Sequence, residues 1–246
     1  LEVLGKWEQI EPNNTDMFYL RGSAHLMRGE PGLAVPWLVR AAKAHPGGTA
    51  TPVAARALVA AGRTHDSLPW FKRARKEKPG DIDLLLEYLA ALRAAGQLEE
   101  ALAGYKELLT TQPKNVAAWV GLGGLRQSEF RHEEALEALD LALEIDPHNA
   151  AALANRAQSL HAMGHIREAL ESYEAAIELN TTNAEVRYHY GTLLHSLARY
   201  DEARNAFRRA RELKPNHAAV NSLLHHTQAT LCEWRGIEEL LSLIHI

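Results

Sequence analysis

Thirteen histidines and a single cysteine are the side chains of this 246-residue chain with the most specific chemistry, and their spacing decides what they can do. His161 and His165 stand four apart, the separation of two metal ligands on one helix face. Gly164 falls between them and should end that helix, no third ligand is placed nearby by spacing, and the HExxH pattern is absent, so no metal site is expected. Cys232, two residues before Trp234, is a nucleophile in principle, but a free cysteine more commonly packs as a small buried hydrophobe, and that is the reading adopted. One cysteine also excludes an internal disulfide and any multi-cysteine zinc site. The run "GLGGL" at Gly121 to Leu125 lies inside a helical pattern, not between a strand and a helix, and is no phosphate loop. No nucleophile, base and orienting group converge, so the chain is read as a non-enzyme that needs no cofactor.

Composition limits the partners. With 46% hydrophobic and 24% charged residues the chain can bury a core, and a formal charge of -4 with a pI near 6.4 provides no general attraction to nucleic acid or to an anionic membrane. Two local basic clusters, Phe71 to Pro79 and Asn205 to Pro215, fall on helices expected to face outward and are read as solvated. No run of about 18 apolar residues and no basic-then-apolar leader occurs. The expected location is the cytoplasm. Residues 1 to 12 fit only the second helix of an earlier unit, so the chain, which opens on Leu1 instead of Met, is read as a fragment starting inside a longer array.

What positions these side chains is a period. Pro12, Pro46, Pro79, Pro113, Pro147 and Pro215 are spaced by 34, 33, 34, 34 and 68 residues, with Thr181 halfway along the last gap. Other slots recur in phase. Ala34, Ser67, Ala101, Ala135, Ala169 and Ala203 form one small-residue slot; Leu38, Phe71, Tyr105, Leu139, Tyr173 and Phe207 follow four residues later. Small and large apolar residues at spacings of three and four make one face of a helix. A helix before it carries Gly22, Ala55, Gly123, Ala157 and Gly191 in a second small slot, with Leu89 the exception. Gly29, Gly62, Gly96 and Gly164 mark the turn between the two helices.

These residues resemble the tetratricopeptide repeat over residues 15 to 217. The resemblance implies an all-α, right-handed solenoid of antiparallel helix pairs, in six units at about 15–47, 48–81, 82–115, 116–149, 150–183 and 184–217. Residues 1–14 fit the remnant second helix of a preceding repeat, and 218–246 a capping helix followed by the start of a junction segment. The second unit is one residue short and has Pro52 early in its first helix, which predicts a shorter connection there.

The junction itself, Leu231-Cys232-Glu233-Trp234 followed by Ile237, Glu238, Glu239 and Leu240, is similar to the segment joining the repeats to the catalytic domain in the O-GlcNAc transferases and their bacterial, SPINDLY-type relatives. That resemblance implies an alternative function, a substrate-recruiting arm of a glycosyltransferase whose catalytic domain is absent from this chain. Where those transferases line their superhelix with asparagines, this chain has Leu20, Val53, Glu87, Gly121, Asn155 and His189, of which only Asn155 matches. The two-carboxylate clamp by which some family members hold chaperone tails is also missing: Tyr19, Leu86, Val120 and Ala154 stand in the corresponding places.

A superhelix of helix pairs has a concave surface lined by its first helices. The slots projected onto it are Glu87, Arg93, Gln127, Asn155, Gln158, His161, His189, Thr192 and His195, with Arg56 and Ser23 less sharply placed and Tyr19, Val53 and Val59 lining the early units. Neutral hydrogen-bonding groups suit an extended peptide, whose backbone amides need partners along their whole length. The expected function is a noncovalent scaffold binding a peptide or partner protein.

Overall fold

A computed structural model of the protein describes residues 14–231. The remnant helix expected before Asn14 and the junction from Cys232 onward lie outside the described residues. Within them the regular structure is helical: α1 (Thr15–Met27), α2 (Pro31–Ala44), α3 (Ala50–Ala60), α4 (Thr64–Glu77), α5 (Ile82–Ala94), α6 (Leu98–Thr111), α7 (Val116–Ser128), α8 (His132–Ile145), α9 (Ala150–Ala162), α10 (Ile166–Leu179), α11 (Ala184–Ser196), α12 (Tyr200–Leu213) and α13 (Ala218–Thr230). The chain divides between Pro113 and Lys114 into two compact units. Unit one holds α1 to α6 and unit two α7 to α13, and in each, successive helices pack as antiparallel pairs.

Recurrent local chemistry builds these pairs. Six first-position helices begin on a side chain that accepts from the backbone N–H three residues on: Asn14, Asp81, Asn115, Asn149, Asn183 and His217. Each of the five asparagine or aspartate caps is worth about 1 kcal/mol. Five of the six, from Asp81 to His217, are spaced by 34 residues. Each first helix of the six complete pairs ends in a turn where one residue takes positive φ and the next donates its N–H to the carbonyl five residues back. Examples are Gln97 to Leu92 (2.9 Å) and His165 to Leu160 (2.9 Å). Glycine supplies the turn in four pairs, as the sequence reading expects.

In the other two pairs the turn residue is Phe130 (φ 58°) or Ala198 (φ 57°). A side chain there pays a steric cost of roughly 1–2 kcal/mol, of which glycine's greater chain entropy returns about half. Phe130→Gly or Ala198→Gly is therefore expected to stabilise the protein by about 0.5–1 kcal/mol in urea denaturation.

Within pairs, small residues on first helices let large ones on second helices approach. A Cβ on Gly22 would stand 2.5 Å from Leu38 Cγ, one on Gly123 2.6 Å from Leu139 Cγ, and one on Gly191 2.7 Å from Phe207 Cε1. Leu38, Leu139, Tyr105, Tyr173 and Phe207 are fully buried, and the alanines flanking them complete the core. The second pair corrects one expectation. The turn between α3 and α4, Ala61 to Arg63, has the same three-residue length as its counterparts, and it is α3 that is short, at 11 residues against 13. The helix start is delayed to Ala50, which puts Pro52 in the first turn, where its missing N–H has no carbonyl to serve.

Candidate functional site

The residues projected onto a binding face divide between the units, Glu87 and Arg93 in unit one and the other seven in unit two. In unit one, α5 carries Glu87, which accepts a 2.7 Å hydrogen bond from Arg56 Nε on α3. That bond raises the guanidinium pKa, and it leaves Glu87 as half of an ion pair. Arg93, half-buried in the last turn of α5, acts electrostatically on Tyr105, whose hydroxyl is pushed up mainly by burial. A cavity of 260 Å³ is lined by Arg56 together with Tyr19 and Val53, while Val59, also expected on the early first helices, is not part of its wall.

Unit two is richer. Gln127 on α7 is committed to structure: its Nε2 donates to the Asn155 carbonyl oxygen (2.6 Å) and to Ser159 Oγ (2.9 Å), tying α7 to α9. Thr192 is likewise used locally, its hydroxyl donating to the Tyr188 carbonyl (2.9 Å). Asn155 and Gln158, one helical turn apart on α9, are half-buried, and among the described residues neither side-chain amide has a hydrogen bond. Those amides are available to a ligand.

The imidazoles form two groups. Burial lowers the pKa of His161, and it lowers that of His189 further helped by the charges of His161 and His217, with Glu185 opposing. Both rings are thereby kept neutral, able to donate from one nitrogen and accept at the other. His189 meets Tyr188 edge-on at 4.9 Å, and the His217 ring lies tilted 5.2 Å from Tyr188. His195 is separate, with its ring 5.1 Å from Tyr200 and 5.4 Å from His226 of α13, and its Nε2 is buried without a partner among the described residues.

Sequence reasoning missed His217, Glu185 and Lys214. His217 Nδ1 accepts from the Val220 N–H (3.3 Å) while its Nε2 faces Glu185 Oε2 at 3.2 Å, and Lys214 Nζ donates to Glu185 Oε1 at 2.8 Å. Those two contacts, Lys214's first, hold the Glu185 carboxyl below the usual carboxylate range. The signal was present, since His217 continues the 34-residue series of capping asparagines. Arg126, a buried cation on α7, was also missed. It pairs with Glu129 (2.6 Å) and Glu134 (3.1 Å) around the α7–α8 turn and braces that turn. Among the described residues no group of three or more histidine, cysteine, aspartate or glutamate side chains is placed to hold a metal ion, and no helix is long and apolar enough to cross a membrane.

The family profile described as tetratricopeptide repeat matches residues 58–124, 92–153 and 160–226, and a second profile of the same description matches residues 19–82. The chain belongs to the tetratricopeptide repeat family. Solved tetratricopeptide repeat structures agree in fold. One protein from Parabacteroides merdae superposes with a TM-score of 0.80 at 18% identity, over 92% of this chain and 90% of its own. A thermophilic one from Thermus thermophilus gives 0.65 at 23% identity, over 73% of this chain and 97% of its own. The Cut9–Hcn1 hetero-tetramer of the APC/C gives 0.66 at 14% identity, covering 91% of this chain and 45% of that one. At these identities the likeness is one of fold. No curated protein matches by sequence. Tetratricopeptide repeats generally serve as protein-interaction scaffolds.

Proposed function

We propose that the chain is a noncovalent scaffold that holds an extended segment of another protein against the first helices of its second unit. The observation that carries this reading is the pair of unbonded, half-buried amides of Asn155 and Gln158 on α9, together with the neutral imidazoles of His161 and His189. A run of groups that both donate and accept, spaced along successive helices, matches the alternating N–H and C=O groups of a peptide backbone. Gln127 and Thr192 contribute by fixing α7 and α11, not by contacting the ligand. The protein carries out no bond-making of its own in this reading, and nucleic acid and membrane are not its partners.

Replacing Asn155, Gln158 and His189 together by alanine is expected to weaken a peptide selected on an array by about tenfold or more, since each hydrogen bond contributes roughly 0.5–1.5 kcal/mol. Calorimetry measures the affinity and circular dichroism the fold. Unchanged affinity with unchanged helicity moves the site elsewhere. The alternative reading, a recruiting arm of an O-GlcNAc-transferase-like enzyme, rests on the Leu231 to Trp234 sequence. Finding a glycosyltransferase domain encoded after Ile246 in the parent gene supports it, and any other continuation removes it.

A further inference from the structure

Each second helix is joined to the next first helix by a short loop, and in five of the six described loops the second residue is proline: Pro46, Pro79, Pro113, Pro147 and Pro215. Between α10 and α11 that place is taken by Thr181. The change makes Asn180-Thr181-Thr182 a match to the glycosylation triplet: asparagine, any residue but proline, then serine or threonine. The other match in the chain, Asn13-Asn14-Thr15, begins outside the described residues.

The loop's geometry leaves the right atoms free. Asn180, Thr181 and Thr182 are all exposed. The Asn180 side-chain oxygen accepts from the Thr182 N–H (3.1 Å) and from the Thr182 hydroxyl (3.0 Å), so the accepting half of the amide is used inside the turn. Its Nδ2 has no hydrogen-bond partner among the described residues. Arg187 of α11 donates to the Thr181 carbonyl from Nε (3.3 Å) and from Nη2 (3.0 Å), holding the loop where the proline ring is missing. The preceding repeat shows what the triplet adds. Asp146 makes the same turn, its Oδ1 accepting from the His148 N–H at 3.2 Å, but a carboxylate has no N–H to give. Pro147 and His148 also lack the backbone N–H and the hydroxyl that Thr181 and Thr182 supply.

We propose that Asn180 is an acceptor for N-linked glycosylation, taking a sugar from a sugar diphosphate donor. The Thr182 hydroxyl stabilises negative charge on the Asn180 amide oxygen, which makes an Nδ2 proton easier to remove. A base of the modifying enzyme takes that proton and Nδ2 attacks C1 of the sugar. The C1–O bond to the diphosphate breaks, and the diphosphate leaves with the bonding pair. The Thr181 N–H donates to no backbone carbonyl among the described residues, so the enzyme can grip the loop through it, and proline would remove that donor. An exposed loop also takes a bulky polar group without burying it.

The test offers the whole folded chain to two enzymes, each first shown to be active on a reference acceptor peptide. One arm uses UDP-glucose with a soluble transferase specific for the triplet, the other a polyprenyl-diphosphate sugar with a membrane oligosaccharyltransferase. Intact mass and peptide mapping read the product. One sugar on Asn180 is expected in at least one arm, and the arm in which it appears names the carrier. Asn180→Gln is expected to abolish the transfer. Thr182→Val keeps the size and removes the hydroxyl, and Thr181→Pro restores the residue of the other five loops. Each is expected to slow transfer to Asn180 by about tenfold or more with circular dichroism unchanged, whereas Thr182→Ser retains it. Should Thr182→Val lose helicity, Thr181→Pro carries the comparison, since proline is already accommodated in the sister loops. An unmodified Asn180 in both arms, or transfer at the native rate in the folded blocking variants, overturns the proposal.

Discussion

Phe207→Ala is expected to destabilise unit two by about 3–5 kcal/mol, the range for deleting a buried aromatic ring. Phe207 is 0% exposed and sits where three helices meet, among Leu194 of α11, Ala203 and Ala210 of α12, and Val220 and Leu224 of α13. Its ring lies 6.5 Å from that of Tyr188 and directly over Gly191. Removing the ring leaves a void that backbone-braced helices cannot close, so the cost includes a cavity as well as lost transfer energy. Urea denaturation followed by circular dichroism measures it, and a loss under about 1.5 kcal/mol would show that α13 closes over the gap.

The contact between Phe207 and Gly191 can be isolated. Gly191→Ala alone places a methyl group 2.7 Å from Phe207 Cε1 and should cost about 1–3 kcal/mol through overpacking. In a Phe207→Leu background the same change should cost less, since the ring it collides with is gone. The two changes are therefore expected to be non-additive, as contacting residues are. Equal cost in both backgrounds would mean that Gly191 is needed for its backbone and not for the approach of α12.

Much of this packing was legible in the sequence because it depends on one residue per slot. A glycine or alanine opposite a large apolar residue, repeated every 34 positions, specifies the approach of two helices without knowledge of anything distant. The turns were legible where glycine marks them. Phe130 and Ala198 hide two more, since their left-handed backbone is imposed by the flanking helices against their own preference. The candidate site was less legible, for a related reason. Helical projection places Gln127 and Asn155 on the same surface but cannot tell that the Gln127 amide reaches across to the next first helix and is spent there. Leu89 stood out as an exception in its slot, while the compensating Gly104 on α6, where a Cβ would overlap Leu89 Cδ2, appears only when both helices are present. Reading one helix at a time reveals what a face offers; it does not reveal what the neighbouring helix has already taken.

Acid should loosen unit two before it affects most ion pairs. His161 and His189 have pKa values below the ordinary imidazole value of 6.5 in the folded chain, both mainly through burial. A group with a depressed imidazole pKa binds fewer protons folded than unfolded, so stability is full above about pH 6.5 and falls as the pH drops from there toward the folded values. Around His189 the neighbours pull both ways, Glu185 raising its pKa and His161 and His217 lowering it, and burial decides the direction. The Glu185 carboxylate that opposes this is itself bonded to Lys214 and His217. Glu185 itself titrates later: its folded pKa lies below 4.5, so its contribution persists until the pH falls past that point and is then lost. The urea midpoint of unit two is thus expected to decline as the pH falls below about 6.5. Replacing His161 and His189 by glutamine should flatten that decline. His217→Asn installs the cap used at Asn115, Asn149 and Asn183 and should keep the start of α13 in place, measurable as retained amide protection of Val220. A midpoint as steep in the glutamine variant as in the native chain would place the acid response outside these imidazoles.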